Sequence, residues 1–200
     1  MTTVRTILAI LLGTLVLSPV FASAAILRAS EQPSVGSGER ITEDVYIAGG
    51  NVNSAGVILG DLIAGGGSVL VNGEVRSDVF ASGGTVTILA KILDDLRVMG
   101  GNLIITSDVA NDVVAAGGNV HLAGKVGGDV LIAGGAVRIE APIAGDVHVV
   151  GGDIYINAPI AGNVQIEADK ITLGSAAVLN GDFAYRAASQ VKMDEGAIVK

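Results

Sequence analysis

The chain has 200 residues, a formal net charge of -8 at pH 7 and no cysteine; 50% of its residues are hydrophobic, yet only 3% are aromatic. The negative charge argues against nucleic acid and anionic lipid headgroups as partners, and the absence of cysteine excludes disulfides and thiolate metal sites. Because aromatic residues are so few, a core must be filled by Val, Ile, Leu and Ala.

Residues 1–24 have the layout of a secretory signal peptide. An arginine is followed by an uncharged apolar stretch and a small-residue run ending at Ala24, which predicts cleavage after Ala24. The alternative is an uncleaved anchor, since the uncharged span from Thr6 to Leu27 is long enough to cross a bilayer. Both alternatives predict an extracytoplasmic protein of the bacterial cell envelope, either periplasmic or membrane-associated.

Residues 25–40 are predicted to be a linker or an N-terminal cap. They contain Pro33, two glycines and several polar residues, a composition that suits a flexible tether as well as a cap, and the sequence does not decide between them.

Residues 41–181 carry a 17-residue repeat, and no insertion interrupts the seven intervals from Asp44 to Asn163. The repeats begin at Asp44, Asp61, Asp78, Asp95, Asp112, Asp129, Asp146 and Asn163. A fixed period of this kind indicates a repeat architecture. Positions 2 and 4, 9 and 11, and 15 of each repeat are apolar, and such alternation predicts short strands with one buried face.

Three short strands per repeat predict an all-β fold, a single-stranded, three-sided parallel β-helix (β-solenoid) of about eight coils stacked at the spacing of paired strands. A glycine pair recurs at positions 6 and 7, where we expect a corner that needs either a positive φ or a backbone without Cβ. These corner glycines are Gly49, Gly50, Gly66, Gly67, Gly83, Gly84, Gly100, Gly101, Gly117, Gly118, Gly134, Gly135, Gly151 and Gly152. A phosphate-binding glycine loop is disfavoured, because it would occur once and open a helix.

The pattern weakens after residue 181. The interval from Asn163 to Asp182 is 19 residues, and Ala168-Asp169 replaces the glycine pair. Residues 182–200 are therefore predicted to form a degenerate C-terminal coil, since terminal coils of a solenoid are often atypical.

The repeats DVLIAGGAVRIEAPIAG and DVHVVGGDIYINAPIAG resemble those of bactofilins, polymer-forming cytoskeletal proteins of bacteria. The resemblance covers residues 41–181. It implies a right-handed, three-sided β-helix that associates end to end into nonpolar filaments, without nucleotide, near the membrane or the cell wall. Bactofilins are usually cytoplasmic, so the signal sequence here favours a scaffold on the outer side of the membrane.

The acidic residue at position 1 forms a column along the predicted solenoid. Carboxylates stacked about 4.8 Å apart repel each other, so each is expected to accept backbone N–H groups at its corner in an Asx-type turn. The alternative is a row of weak Ca²⁺ sites formed by Asp61, Asp78, Asp95, Asp112, Asp129 and Asp146.

Outward position 3 is apolar in five of its seven places. Single exposed apolar residues are ordinary, but a continuous stripe marks a contact surface. We therefore predict a lateral contact, between filaments or with another part of the chain, at Tyr46, Ile63, Phe80, Val114 and Leu131.

No catalytic group, cofactor site or nucleotide site is predicted. The histidines, His121 and His148, fall on different predicted strands, and nothing pairs a nucleophile with a base. A hexapeptide-type acyltransferase is disfavoured by the 17-residue period. The leading hypothesis is a non-enzymatic protein that self-assembles end to end, because open solenoid ends expose strand edges. The alternative is a secreted or surface β-solenoid adhesin or ligand-binding module.

Overall fold

A computed structural model describes residues 25–200, and the predicted signal sequence lies outside this range. The described chain is all-β. Its strands are β1 (Ile26–Ala29), β2 (Ser34–Val35), β3 (Arg40–Ile41), β4 (Val45–Ser54), β5 (Val57–Ile58), β6 (Leu62–Val71), β7 (Val79–Ile88), β8 (Leu96–Ile105), β9 (Val113–Leu122), β10 (Val130–Ile139), β11 (Val147–Ile156), β12 (Pro159–Ile160), β13 (Val164–Leu173), β14 (Val178–Leu179), β15 (Phe183–Ala187), β16 (Lys192–Met193) and β17 (Ile198–Val199).

The strands stack in parallel, one coil above the next. In the main sheet they follow the order β1, β4, β6, β7, β8, β9, β10, β11, β13, β15. From β4 to β13, paired residues of successive long strands are 17 positions apart, as are Val45 and Leu62 or Val130 and Val147. The predicted parallel β-solenoid is therefore confirmed.

Each long strand covers two sides of the solenoid and turns a corner at the glycine pair, which Ala168-Asp169 replaces in β13. In β10 the buried residues are Val130 and Ile132 before the pair, and Val137 and Ile139 after it. Buried positions are two apart within each half but five apart across the glycines, so the alternation changes phase where the chain turns. We call the half before the glycines the first side and the half after them the second side.

The third side is short and is held by single bridges between coils. These parallel bridges join Ile58, Val75, Ile92, Val109, Val126, Ile143 and Ile160 in succession. All seven side chains are buried, so position 15 completes the three-sided core that the repeat pattern predicts.

The stack is longer than the eight regular repeats, because residues at both ends extend it. Strands β1 and β2 pair with β4, and β3 pairs with β5, so the segment interpreted from the sequence as a linker or cap contains strands of an additional coil. At the other end β15 and β16 pair with β13, and β17 pairs with β14.

The core consists of columns of Val, Ile, Leu and Ala, each side chain lying above a similar one. Burying one such aliphatic side chain contributes roughly 1.5–3 kcal/mol. Ser54 and Thr172 are the buried polar residues among those that the structure describes. Ser54 occupies position 11, between Val35 and Val71 in its column, and its Oγ has no hydrogen-bond partner. No helix in residues 25–200 is long and apolar enough to span a membrane.

Candidate functional site

The acidic column at position 1 forms a hydrogen-bonded ladder between coils. Each carboxylate Oδ1 accepts the backbone N–H of the residue that begins the next coil, at 3.0 Å for Asp61 N–H on Asp44 and 2.7 Å for Asp129 N–H on Asp112. The same bond is donated by Asp78, Asp95, Asp112, Asp146 and Asn163. The Asx-type turn expected from the sequence is therefore replaced by a bond that links one coil to the next.

The ladder continues without a charge at its end. The side-chain amide oxygen of Asn163 accepts the N–H of Asp182 at 3.0 Å, so an amide performs the same structural role as the carboxylates. What each coil needs at this position is an acceptor oxygen, because a backbone N–H left without a partner is costly.

The Ca²⁺ hypothesis for the ladder stays a prediction. Within residues 25–200 the group of three carboxylates whose oxygens lie within 4.8 Å of one another is Asp78, Asp94 and Asp95. Arg97 lies beside this group, 3.3 Å from Asp78 Oδ2 and 2.8 Å from Asp95 Oδ2. Its guanidinium offsets part of the negative charge that a cation would otherwise neutralise.

The corner glycines are required by close approach of the backbone. A Cβ on Gly66 would lie 2.6 Å from the carbonyl oxygen of Gly49, and one on Gly118 would lie 2.9 Å from that of Gly101. The positive-φ residue of the described chain is Gly196, outside the corner columns. The sequence allowed two reasons for these glycines, a positive φ or a backbone without Cβ. The structure supports the second reason.

The predicted lateral-contact residues lie together in one outward column on the first side. Tyr46, Ile63 and Phe80 are in register with each other, Val114 is in register with Leu131, and Arg97 separates the two groups. Leu131 is 52% exposed. The column extends beyond the predicted set to Leu27, which pairs with Tyr46.

The N-terminal end of the solenoid is closed by an ion pair. Arg28 aligns with buried Ile47 and so continues a core column, but its guanidinium bonds to the Glu39 carboxylate and the Ser34 carbonyl oxygen. These bonds from Arg28, together with the N–H of Gly36 at 2.7 Å, lower the pKa of Glu39 to about 2.

The C-terminal end carries apolar side chains on the core columns instead. Tyr185 aligns with buried Ile166, Met193 with Leu173, and Val199 with Leu179. Tyr185 is 53% exposed and Met193 is 48% exposed. The ring of Phe183 stacks on that of Tyr185, with 5.0 Å between the centroids. The two ends of the solenoid therefore differ in chemistry.

A groove with a volume of about 650 Å³ lies on the second side, and it is lined by both apolar and polar side chains. We define it by Asn102, Asn119, Arg138, Tyr155, Lys170 and Lys192. The Arg138 guanidinium lies over the Tyr155 ring, 4.5 Å from its centroid. Glu140 joins His121 at 2.7 Å and Arg138 at 3.2 Å. Burial raises the pKa of Glu140, but these two hydrogen bonds outweigh it, so the net shift is downward.

The two histidines do not share a site. His121 is in register with Arg138 on the second side, whereas His148 is in register with Leu131 on the first side. The sequence offered a cap as one interpretation of residues 25–40, but the Arg28–Glu39 pair and the groove were not predicted. The sequence signal for the ion pair is Arg28, which stands two residues after Ile26 at a position where the regular coils place a second apolar residue.

The fold and its surfaces define a parallel β-solenoid with one closed end, one apolar end and chemically distinct sides. Comparison with protein-family models, with curated proteins and with solved structures gives no match. The likeness to bactofilins thus rests on the repeat pattern.

Proposed function

We propose that this chain is a non-enzymatic structural protein, similar to bactofilins, that self-assembles end to end into filaments or a scaffold at the bacterial cell envelope. The observation that carries the proposal is the apolar C-terminal end, where Tyr185, Met193 and Val199 end three core columns without being covered by the described chain. Exposed apolar side chains gathered at one end of a rod favour association with a similar surface.

The backbone at this end supports the same proposal. Within the described chain β15 and β16 each pair only with β13, and β17 pairs only with β14. Their other edges therefore offer N–H and C=O groups that a second copy can pair. In a contact between two identical ends the paired strands run antiparallel, whereas the coils inside the solenoid pair in parallel. Association through this end is isologous and first gives a dimer with twofold symmetry.

Growth beyond a dimer needs a second contact. The N-terminal end is disfavoured as an apolar contact, because the Arg28–Glu39 pair lies across it. The outward column containing Phe80 and Leu131 provides the alternative, a lateral contact between rods. Phe80→Glu and Leu131→Glu are expected to leave the dimer intact and to prevent larger assemblies.

The proposed location rests on the sequence of residues 1–24, whose layout is that of a secretory signal. The proposed partners are other copies of the chain, with membrane or cell-wall components as candidates. The net charge of -8 makes contact with anionic headgroups unfavourable, so a membrane role would act through the N-terminal segment.

The test is light scattering across protein concentration, with negative-stain electron microscopy of the same samples. We expect dimers and then filaments, and we expect Tyr185→Lys combined with Met193→Lys to remain monomeric. Ala184→Lys is the matched control, because Ala184 is exposed in the same strand but aligns with outward-facing Gln165. A monomer at every concentration, or assembly unchanged in the double variant, would contradict the proposal and favour a display or ligand-binding module.

A further inference from the structure

We infer that the groove on the second side binds a neutral saccharide chain. The groove lies along the rod and reaches the apolar end at Lys192 and Asp194, which flank Met193. We expect saccharide binding to be independent of the proposed end-to-end assembly. The residues that define the groove belong to six strands, β8, β9, β10, β11, β13 and β16. With strands about 4.8 Å apart, the groove is roughly 24 Å long, a length that suits a chain of linked rings better than a single small molecule.

The groove exists because the repeat pattern is broken locally. Ala136 stands in register between Asn119 and Asp153, so a small side chain leaves a depression between two larger ones. Arg138 and Tyr155 line the groove together with Val120 and Val137. The earlier coils of this side place Thr87 and Leu70 where the groove has Arg138 and Tyr155.

The polar groups suit a ligand that both donates and accepts hydrogen bonds. The side-chain amides of Asn102 and Asn119 line the groove, and each can both donate and accept hydrogen bonds. Saccharide hydroxyls have the same dual capacity. The amides therefore match the hydrogen-bonding capacity of a saccharide.

The charges of the groove are paired, which disfavours a polyanion. Lys170 lies 2.9 Å from Asp153, Lys192 lies 3.0 Å from Asp194, and Arg138 bonds to Glu140. A polyanionic chain would have to compete with these carboxylates and with the negative charge of the whole protein. A neutral saccharide can hydrogen-bond to both members of a pair.

The aromatic contact completes the site. Arg138 covers the Tyr155 ring at 4.5 Å, and this stacked pair forms a flat, partly apolar wall. Small-molecule sites combine such apolar surface with a few polar groups that fix orientation, and a pyranose ring has an apolar face and a polar rim that match this combination.

The experiment is isothermal titration calorimetry with three probes: chitohexaose, cellohexaose and hexagalacturonate. We expect one or both neutral hexasaccharides to bind, and we expect Arg138→Ala and Tyr155→Ala each to weaken binding about tenfold or more. Asn119→Ala, at an exposed position, is expected to weaken binding without affecting the fold. Thr87→Ala is the matched control, because it lies in the corresponding row outside the groove, and its affinity should equal that of the wild type.

Absence of binding with all three probes, binding of hexagalacturonate alone, or equal affinity of the Arg138, Tyr155 and Thr87 variants would overturn the inference. A Tyr185→Lys, Val199→Lys variant, which changes the apolar end at residues outside the groove lining, should bind saccharide like the wild type. If this variant fails to assemble but binds saccharide fully, the binding site is separate from the assembly contact. If it fails to bind saccharide, the site and the assembly contact are not independent.

Discussion

Substitution of Asp112 tests whether the acidic column serves as a ladder of acceptors. Asp112 Oδ1 accepts the N–H of Asp129 at 2.7 Å, and the N–H of Asp112 bonds to Asp95 Oδ1 at 3.1 Å. Asp112→Asn keeps an acceptor oxygen, whereas Asp112→Ala removes it. Both variants lack the charge, so the change in repulsion between neighbouring carboxylates cancels when the two are compared.

The expected loss of stability combines two contributions, the lost hydrogen bond and the relieved repulsion between neighbouring carboxylates. Like charges about 5 Å apart in water repel by about 1 kcal/mol, and salt reduces this value. Loss of charge therefore offsets part of the lost hydrogen bond in the alanine variant. The difference between the variants isolates the acceptor, and the alanine variant should be less stable than the asparagine variant by about 1 kcal/mol. For a chain of this length that corresponds to a difference in Tm of roughly 2–4 °C.

The assay is thermal unfolding of both variants, with amide hydrogen exchange at Asp129 as a local readout. Hydrogen exchange matters because coils of a solenoid can unfold separately, so a single Tm can hide a local change. The Asp129 amide should exchange faster in Asp112→Ala than in Asp112→Asn. Equal stability and equal exchange in the two variants would refute the acceptor ladder. A rise in Tm with millimolar Ca²⁺ that is lost in Asp112→Asn would instead favour the cation row.

Three further predictions concern the corners, the core and the N-terminal end. Gly66→Ala should destabilise the fold, because its Cβ would lie 2.6 Å from a carbonyl oxygen of the preceding coil. Gly65→Ala should be tolerated, because its Cβ would lie 3.7 Å from the nearest atom. Chemical denaturation compares the stability of the two variants. Ser54→Ala should stabilise by about 1 kcal/mol, since it removes a buried hydroxyl without a partner, and an unchanged or lower denaturation midpoint would contradict this reason. The pKa of Glu39 is lowered from 4.5 to about 2. The stabilisation from its pair with Arg28 is therefore present above pH 4.5 and is lost as the pH falls towards about 2. Hydrogen exchange in β1 should increase over this interval in the wild type but not in Arg28→Ala.

The sequence predicted the regular coils well because the side chains that bury a coil repeat with it. Buried Val45 and Ile47 recur as Val130 and Ile132 with the same spacing, so an apolar pattern sufficed to define the core columns. The first coil was not recognised because its strands pair with β4 at an offset of 19 residues, and one of its core-facing positions is occupied by Arg28. A search for a strict 17-residue apolar repeat passes over such a coil.

The surfaces were harder to predict, for a different physical reason. The ladder of Asp112 and Asp129 was visible as a column, but the partner of each carboxylate depends on which N–H the neighbouring coil presents, and spacing alone does not give that. The groove was missed because it depends on one small residue, Ala136, and on how Arg138 and Tyr155 stack. The repeat pattern predicts which positions are buried, but it does not predict the conformations of the exposed side chains.

The separation of core and surface explains how one rod can carry several functions. Inward positions maintain the stack, so outward residues of each side can vary with little effect on the other sides. The first side is mainly apolar at Phe80 and Leu131, and the second side is polar at Asn119 and Arg138. Because Leu131 and Arg138 both face outward on different sides of the solenoid, Leu131→Glu and Arg138→Ala should have additive effects on assembly and saccharide binding. A coupling between them above about 0.5 kcal/mol would show that the sides communicate through the core.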